Sequence, residues 1–324
     1  MGRSSGGKNG ITDHPSLWPA DELPEHAERL PETNFKSLRF PVWTQSKASL
    51  IQTYLRLFEM ITHHGAYIDG FAAPQDPNHP DICSAKLVLE MEPKWFRDFW
   101  LCDVTRDGVV FLKKLQEEHS DAKRHVTVLE GDFNQCVDEV LRSGRIKESV
   151  ATFALLDQRT FECHWETVAR LSRHKKRRKI EIFYFFPTGW IDRALAAVKT
   201  PSSIENVGLW WGRDDWQSLR GMDKTERAML VAKRFEDELG YRKAKPYAIH
   251  SEELGGRVMY HMIHATDHPD APLLMIRAYR KVAGRPDLTD TEQQRDFEEL
   301  WNDLRPDEDT DYPIRLRYHF GKRY

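Results

Sequence analysis

Four apolar runs in this chain end on an acid. Tyr67-Ile68-Asp69 leads into Gly70-Phe71-Ala72-Ala73-Pro74-Gln75. Trp100-Leu101-Cys102 leads into Asp103, residues 126–130 into Gly131-Asp132, and Phe153-Ala154-Leu155-Leu156 into Asp157. A carboxylate at a strand end can accept hydrogen bonds from sugar hydroxyls or amino groups, and a turn of small residues lets a ligand approach the backbone. A parallel α/β sheet presents the carboxyl ends of its strands to one crevice, so acids and small residues in series there suit a nucleoside-like ligand. Gln158-Arg159-Thr160 follows Asp157. A carboxylate with an amide beside it can accept from a target N–H and aim the nitrogen lone pair, so that catalysis comes mostly from orientation.

The elements that must position these residues alternate. A helix over 46–61 carries Leu50, Tyr54, Leu57, Phe58 and Ile61 at three- and four-residue spacing, with Thr44 or Ser46 to cap it. Strands are expected at 65–71, 99–103, 125–130, 152–156 and 180–186, and helices at 84–91, 108–118, 134–143 and 165–174. Such alternation argues for βαβ units with right-handed crossovers. Beyond Pro201 the rhythm loosens. Trp210–Trp216 reads as an aromatic, charged loop, 224–239 as a helix inside an insertion at about 203–243, 244–250 and 258–266 as a closing hairpin, and 273–282 as a last helix. Residues 1–35, rich in Gly, Ser, Pro and charge, read as a flexible arm, 36–284 as the α/β domain, and 285–324 as a C-terminal extension.

Composition bounds the function classes. With 324 residues, a formal charge of −3, 31% charged and 40% hydrophobic residues, the chain has an ordinary soluble balance. Binding to nucleic acid would have to come from local basic patches. No apolar run approaches the roughly 20 residues that cross a bilayer, and the polar N-terminus has no signal-peptide core, so no membrane association and a cytoplasmic location are expected. Cys83, Cys102, Cys136 and Cys163 are dispersed and form no C-x-x-C pair, so reduced core thiols are expected rather than a disulfide set or metal site. His250, His261, His264 and His268 lack a carboxylate at ligand spacing, and no metal site is assigned.

The order Asp-x-Phe-Ala turn, Asp, Gly-Asp, Asp resembles class I S-adenosylmethionine-dependent methyltransferases. The chain also resembles the three-Cys-motif partner (TcmP) family. The residues that carry this are the entry helix Trp43-Thr44-Gln45-Ser46-Lys47 to Tyr54-Leu55, the 67–71 turn, Gly131-Asp132, and 153–157 leading into His164-Trp165. Also matching are 182–187 with Gly189-Trp190 and Arg193, and 260–269 with Ala265-Thr266-Asp267-His268-Pro269. The match covers about 40–282. It implies an α/β, Rossmann-like class I methyltransferase fold, a mostly parallel sheet ending in an antiparallel hairpin, with an N-terminal helix and insertions. It also implies a cysteine-motif partner protein of radical S-adenosylmethionine type.

The resemblance places S-adenosylmethionine against Asp69, Phe71, Ala72, Ala73, Asp103, Asp132 and Phe133. Turn amides would meet the methionine part, Asp103 the ribose hydroxyls and Asp132 the adenine amino group. Asp157, Gln158 and Arg159 stand at the catalytic strand end, and Lys47, Arg159, Trp190 and Arg193 at a nucleic-acid contact. The expected reaction is methylation of a nucleic-acid amino group. Two alternatives stay open. Pro74 and Gln75 stand where Gly-x-Gly is usual, and Pro74 has no amide hydrogen. With Arg159, they suit a catalytically degenerate binding subunit of a bacterial defence (phage defence) or mobile-element system. The same acids could also hold Mg²⁺ in a nuclease or nucleotide-processing enzyme. The basic run His174-Lys175-Lys176-Arg177-Arg178-Lys179 reads as a solvated loop at the sheet's far edge or a nucleic-acid contact, and the alternating basic and aromatic residues at 315–324 as a docked strand or a base-stacking tail.

Overall fold

Strands covered by helices on both faces have no solvent side, and this leaves its mark on burial. β1 (Gly65–Asp69), β4 (Thr152–Leu156) and β5 (Glu181–Phe186) are buried along their whole length. β2 (Phe96–Asp103) and β3 (His125–Glu130) complete the parallel part, and the hairpin of β6 (Lys243–Glu252) and β7 (Gly255–Thr266) closes the sheet with β7 antiparallel to β5. The seven strands lie in the order β3-β2-β1-β4-β5-β7-β6. The computed structural model describes residues 42–75, 79–252 and 255–282, all within one compact unit, Met1–Arg285. The expected N-terminal arm, the C-terminal extension and the run at 315–324 lie outside the described residues.

Side chains alternate across the pleat with period two. Ala66 and Ile68 of β1, Ala154 and Leu156 of β4, and Ile182, Tyr184 and Phe186 of β5 enter one core. That core is covered by α4 (Phe133–Arg142), α5 (Trp165–Arg173), α6 (Ile191–Ala197), α7 (Pro201–Trp211) and α8 (Lys224–Asp237). Tyr67, Phe153, Leu155, Phe183 and Phe185 face the other way, against α1 (Val42–Thr62), α2 (Ser84–Glu90), α3 (Arg106–His119) and α9 (Ala271–Val282).

Helix α1 reaches the sheet through polar side chains as well as apolar ones. The Tyr54 hydroxyl donates to the buried Glu181 carboxylate, which also accepts from Thr266 Oγ1 at 2.8 Å and pairs with His264 Nε2 at 2.9 Å. Burial pushes the Glu181 carboxyl up, but His264, Tyr54 and Thr266 together outweigh it and hold the group below its ordinary value. Five residues further along, Glu59 Oε1 accepts from the amides of Trp95 and Phe96.

One expectation is corrected. Trp210 and Trp211 do not lie in a loop but end α7, and Trp216 opens a short 3-10 turn; all three are buried in the core. The helix forms because Thr200 and Ser203 make a reciprocal capping box, Pro201 pre-sets φ at the first helical position, and Gly212 closes the end at φ +72°.

Gly189, after β5, sits so close to β7 that a Cβ would lie 1.9 Å from the Met259 carbonyl oxygen. Backbone cannot yield cheaply there. Gly189→Ala is expected to lower Tm by about 5 °C or more; an unchanged thermal melt would show that β7 can move away from the turn.

Candidate functional site

The strand order reverses between β1 and β4, the two parallel neighbours whose chains leave in opposite directions, and a crevice opens outside their carboxyl ends. Asp69 pairs in register with Leu155, so Asp157, two residues on, projects from the same face of the sheet. Both acids line a cleft of about 380 Å³, part of it open to solvent, together with Lys47, Gln75 and His79.

The turn after β1 is held internally. Asp69 Oδ1 accepts from the Phe71 amide at 3.1 Å and Oδ2 from the Tyr67 hydroxyl at 2.9 Å. Burial pushes the Asp69 carboxyl up to about 7 against these two bonds, with Asp157 and Asp103 adding to the rise. The Gly70 amide donates to Leu155 O at 3.1 Å, the Ala72 amide to Cys102 O at 2.8 Å, and the Ala73 amide to Asp103 Oδ2 at 3.1 Å. Amides 70–73 are therefore all engaged within the protein, and Pro74 has none. The expectation that turn amides meet a ligand is overturned. What the turn offers the cleft is small side chains at Ala72 and Ala73.

Asp103 also takes the Thr105 amide at 2.9 Å and the Thr105 hydroxyl at 2.6 Å on Oδ1. Asp132 is the N-cap of α4, its Oδ1 accepting from Asn134 N and Nδ2, both at 2.8 Å. Gly131 before it has φ +143°, a backbone conformation that residues with a side chain rarely adopt. Phe133, expected at the cofactor, is 2% exposed and lies beneath the turn: a Cβ on Gly70 would come 2.7 Å from its ring.

At the end of β4 the arrangement differs from expectation. Lys47 was expected on a nucleic-acid surface. It is 4% exposed and turned inward, its Nζ 2.5 Å from Asp157 Oδ2, where Gln75 Nε2 also donates at 3.1 Å. Asp157 Oδ1 is buried with no hydrogen-bond partner among the described residues. Gln158 faces away from the cleft with 0% exposure; its Nε2 donates to Phe185 O at 3.1 Å and its Oε1 accepts from Cys163 N at 2.9 Å. Both ends of its amide brace the turn, so it cannot grip a target. The reason is parity: Gln158 points to the core of Leu156 and Tyr184, Asp157 to the cleft.

Arg159 is half-buried. Its amide and that of Thr160 both donate to Glu162 Oε2 at 2.7 Å, and its guanidinium lies near enough to draw the Glu162 carboxyl down against the larger upward push of burial. Trp190 packs tilted against Phe185, with ring centroids 5.6 Å apart, and donates from Nε1 to Thr160 Oγ1 at 3.4 Å. Arg193 is exposed on α6. The structure thus gathers Lys47, Asp69, Phe71, Ala72, Ala73 and Asp157 at one cleft. Asp103 and Asp132 stand at adjoining strand ends, and Gln158 and Phe133 are structural. Gln75 and His79 were not foreseen at the cleft; Gln75 stands out in the sequence only as a departure from Gly-x-Gly, and its amide proves to be a donor to Asp157.

This sheet order, five parallel strands closed by an antiparallel hairpin, is that of a class I methyltransferase-like α/β fold. No protein-family model matches the chain, and no curated protein matches it. Among solved structures, it is similar to LPL1258 of Legionella pneumophila str. Philadelphia 1 (11% identity, 78% of this chain and 96% of that one, TM-score 0.42). It is also similar to M. jannaschii TYW2 in complex with AdoMet (9%, 72% and 77%, TM-score 0.34) and to Trm5b of Pyrococcus abyssi (12%, 65% and 46%, TM-score 0.32). These likenesses are loose, and the fold rests on the strand order itself.

Removing one member of a buried ion pair leaves the other charge unpaired. Lys47→Ala is expected to cost about 3 kcal/mol, and Lys47→Met with Asp157→Leu to recover most of it; urea midpoints of the two variants decide this. Asp69 supplies a pH test. Its folded pKa of about 7 lies above its ordinary value, so the folded protein keeps a proton that the unfolded chain releases. The stability this gives is present at low pH and is lost as pH rises through 7. Asp69→Asn should flatten the fall in urea midpoint between pH 5 and pH 7, and an unchanged slope would place the proton elsewhere.

Proposed function

We propose that this protein is an S-adenosylmethionine-dependent methyltransferase that acts on a nucleic-acid amino group presented to Asp157. The observation that carries the reading is the buried Asp157 carboxylate, one oxygen fixed by Lys47 and Gln75 and the other lacking a donor in the cleft wall. A buried acceptor left unmade is costly, and a target N–H is the donor that would satisfy it. Lys47 and Gln75 orient the carboxylate, which can aim the nitrogen lone pair and take up a proton from it.

The residues present fit the cofactor through side chains rather than turn amides. Asp103 and Asp132 keep acceptor capacity at the ends of β2 and β3 for sugar hydroxyls and an adenine amino group, while Asp69 suits an ammonium. When bound, S-adenosylmethionine supplies an electrophilic methyl group. Membership of the three-Cys-motif partner family, with its radical-type partner protein, belongs to the same proposal and is supported by the motif order over 43–269.

The engaged amides of 70–73 favour a second reading, a binding subunit of the same fold without turnover. Isothermal titration with S-adenosylmethionine separates the two. Binding that weakens about tenfold or more in Asp103→Ala supports the enzyme; no heat at millimolar cofactor favours the binding subunit. Transfer of a tritiated methyl group to total RNA or unmethylated plasmid DNA should fall by about 10²–10⁴-fold in Asp157→Asn, with cofactor binding retained.

A further inference from the structure

The basic run before β5 is a loop with exposed side chains on a fixed backbone. Lys175 turns inward, donating from Nζ to Val150 O at 2.7 Å and to Thr152 Oγ1 at 3.3 Å. The next amides close on one carboxylate: Lys176 N lies 2.5 Å from Glu148 Oε1 and Arg177 N 3.3 Å from Oε2, with the Arg178 amide bonded to the same group. Three successive amides around an anion form a nest, which fixes the backbone. His174 Nε2 adds a contact to Ile146 O at 3.0 Å. The side chains of Lys176, Arg177 and Arg178 are exposed, and none forms an ion pair among the described residues. Glu148, the nearest acid, is engaged by backbone amides. The result is a pre-shaped row of three cations on a protein whose formal charge is −3.

We propose that this row, Lys176-Arg177-Arg178, is a phosphate-backbone contact for a duplex or folded nucleic-acid substrate that also reaches the cleft. The inference rests on the reading of the cleft given above and narrows its substrate class. The row precedes β5 and so lies at the amino ends of the parallel strands, whereas the cleft lies at their carboxyl ends. Six strand residues separate the two edges, about 20 Å at roughly 3.3 Å per residue. A nucleotide or a very short oligomer cannot touch both. At about 3.4 Å per step the straight line through the sheet already equals about six base pairs, and a ligand that must pass over the covering helices has to be longer. Arginine and lysine side chains on a fixed backbone give a positioning contact with no sequence preference.

The test is fluorescence anisotropy with labelled RNA and DNA duplexes of about 20 base pairs and a hairpin of about five, titrated from about 50 to about 200 mM KCl. The triple variant Lys176→Ala/Arg177→Ala/Arg178→Ala should lose about tenfold or more in affinity for the long duplex, and its slope of log K against log salt should be shallower by about 2–3. Arg177→Gln alone should flatten it by about one. Lys113→Ala/Lys114→Ala on α3 should keep the wild-type slope, and the short hairpin should bind wild type and triple variant alike. The inference fails if the triple variant keeps the wild-type slope, if the wild type binds no long duplex, or if it binds only anionic phosphatidylglycerol vesicles in flotation. Cofactor calorimetry on the same proteins is independent: heat from S-adenosylmethionine with an unchanged salt slope sinks the phosphate row alone. A lost slope without heat sinks the cofactor reading and leaves the row.

Discussion

Period-two alternation along strands buried on both faces is the constraint from which the site follows. Because β1 and β4 have no solvent side, every residue along them commits to one core or the other, and the last residue of each strand inherits that commitment at the rim. Asp69 and Asp157 share a face only because Asp69 is in register with Leu155. Gln158, one step further, falls to the opposite core and becomes a brace between Phe185 and Cys163. A slip of one residue would bury the acid and expose the amide.

The second determinant is α1, which lies across the α1–α2–α3–α9 face and carries polar anchors on an otherwise apolar side. Lys47 and Tyr54 are seven residues apart, two helical turns, and so project from one face toward Asp157 and Glu181. Lys47 reaches the carboxyl end of the sheet and Tyr54 the amino end of β5. The helix thereby spans the sheet from the cleft to its far edge, and the Asp157 carboxylate is set by a residue that belongs to neither β4 nor its turn. Charges desolvated together in this way tolerate loss of both partners better than loss of one.

The parallel core was legible from the sequence because its signals are local. Apolar runs closed by Asp69, Asp103, Glu130 and Asp157 gave strand ends within a few residues of those observed, and 3.6-residue spacing gave the helices between them. The signals missed were also local but misread. Thr200-Pro201 and Gly212 bracket a helix, yet the density of Trp and charge at 210–216 suggested a loop. The site was legible in its acids and not in its donors. Nothing near Lys47 in sequence says that it meets a residue 110 positions away, and Gln75 reads as bulk until the fold brings it over Asp157. Spacing rules cannot see pairs that only tertiary structure creates.

The long sequence separation of those anchors has a consequence for synthesis. Lys47 lies 110 residues before Asp157 and Tyr54 lies 127 before Glu181. At roughly 5–20 residues per second, α1 leaves the ribosome about 5–25 s before its partners exist. During that interval Glu59 can already meet Trp95 and Phe96, but the Lys47 ammonium and the Tyr54 hydroxyl have no partner. Among the described helices α1 is made first, and the cleft is completed only once Asp157 has followed Lys47 by 110 residues.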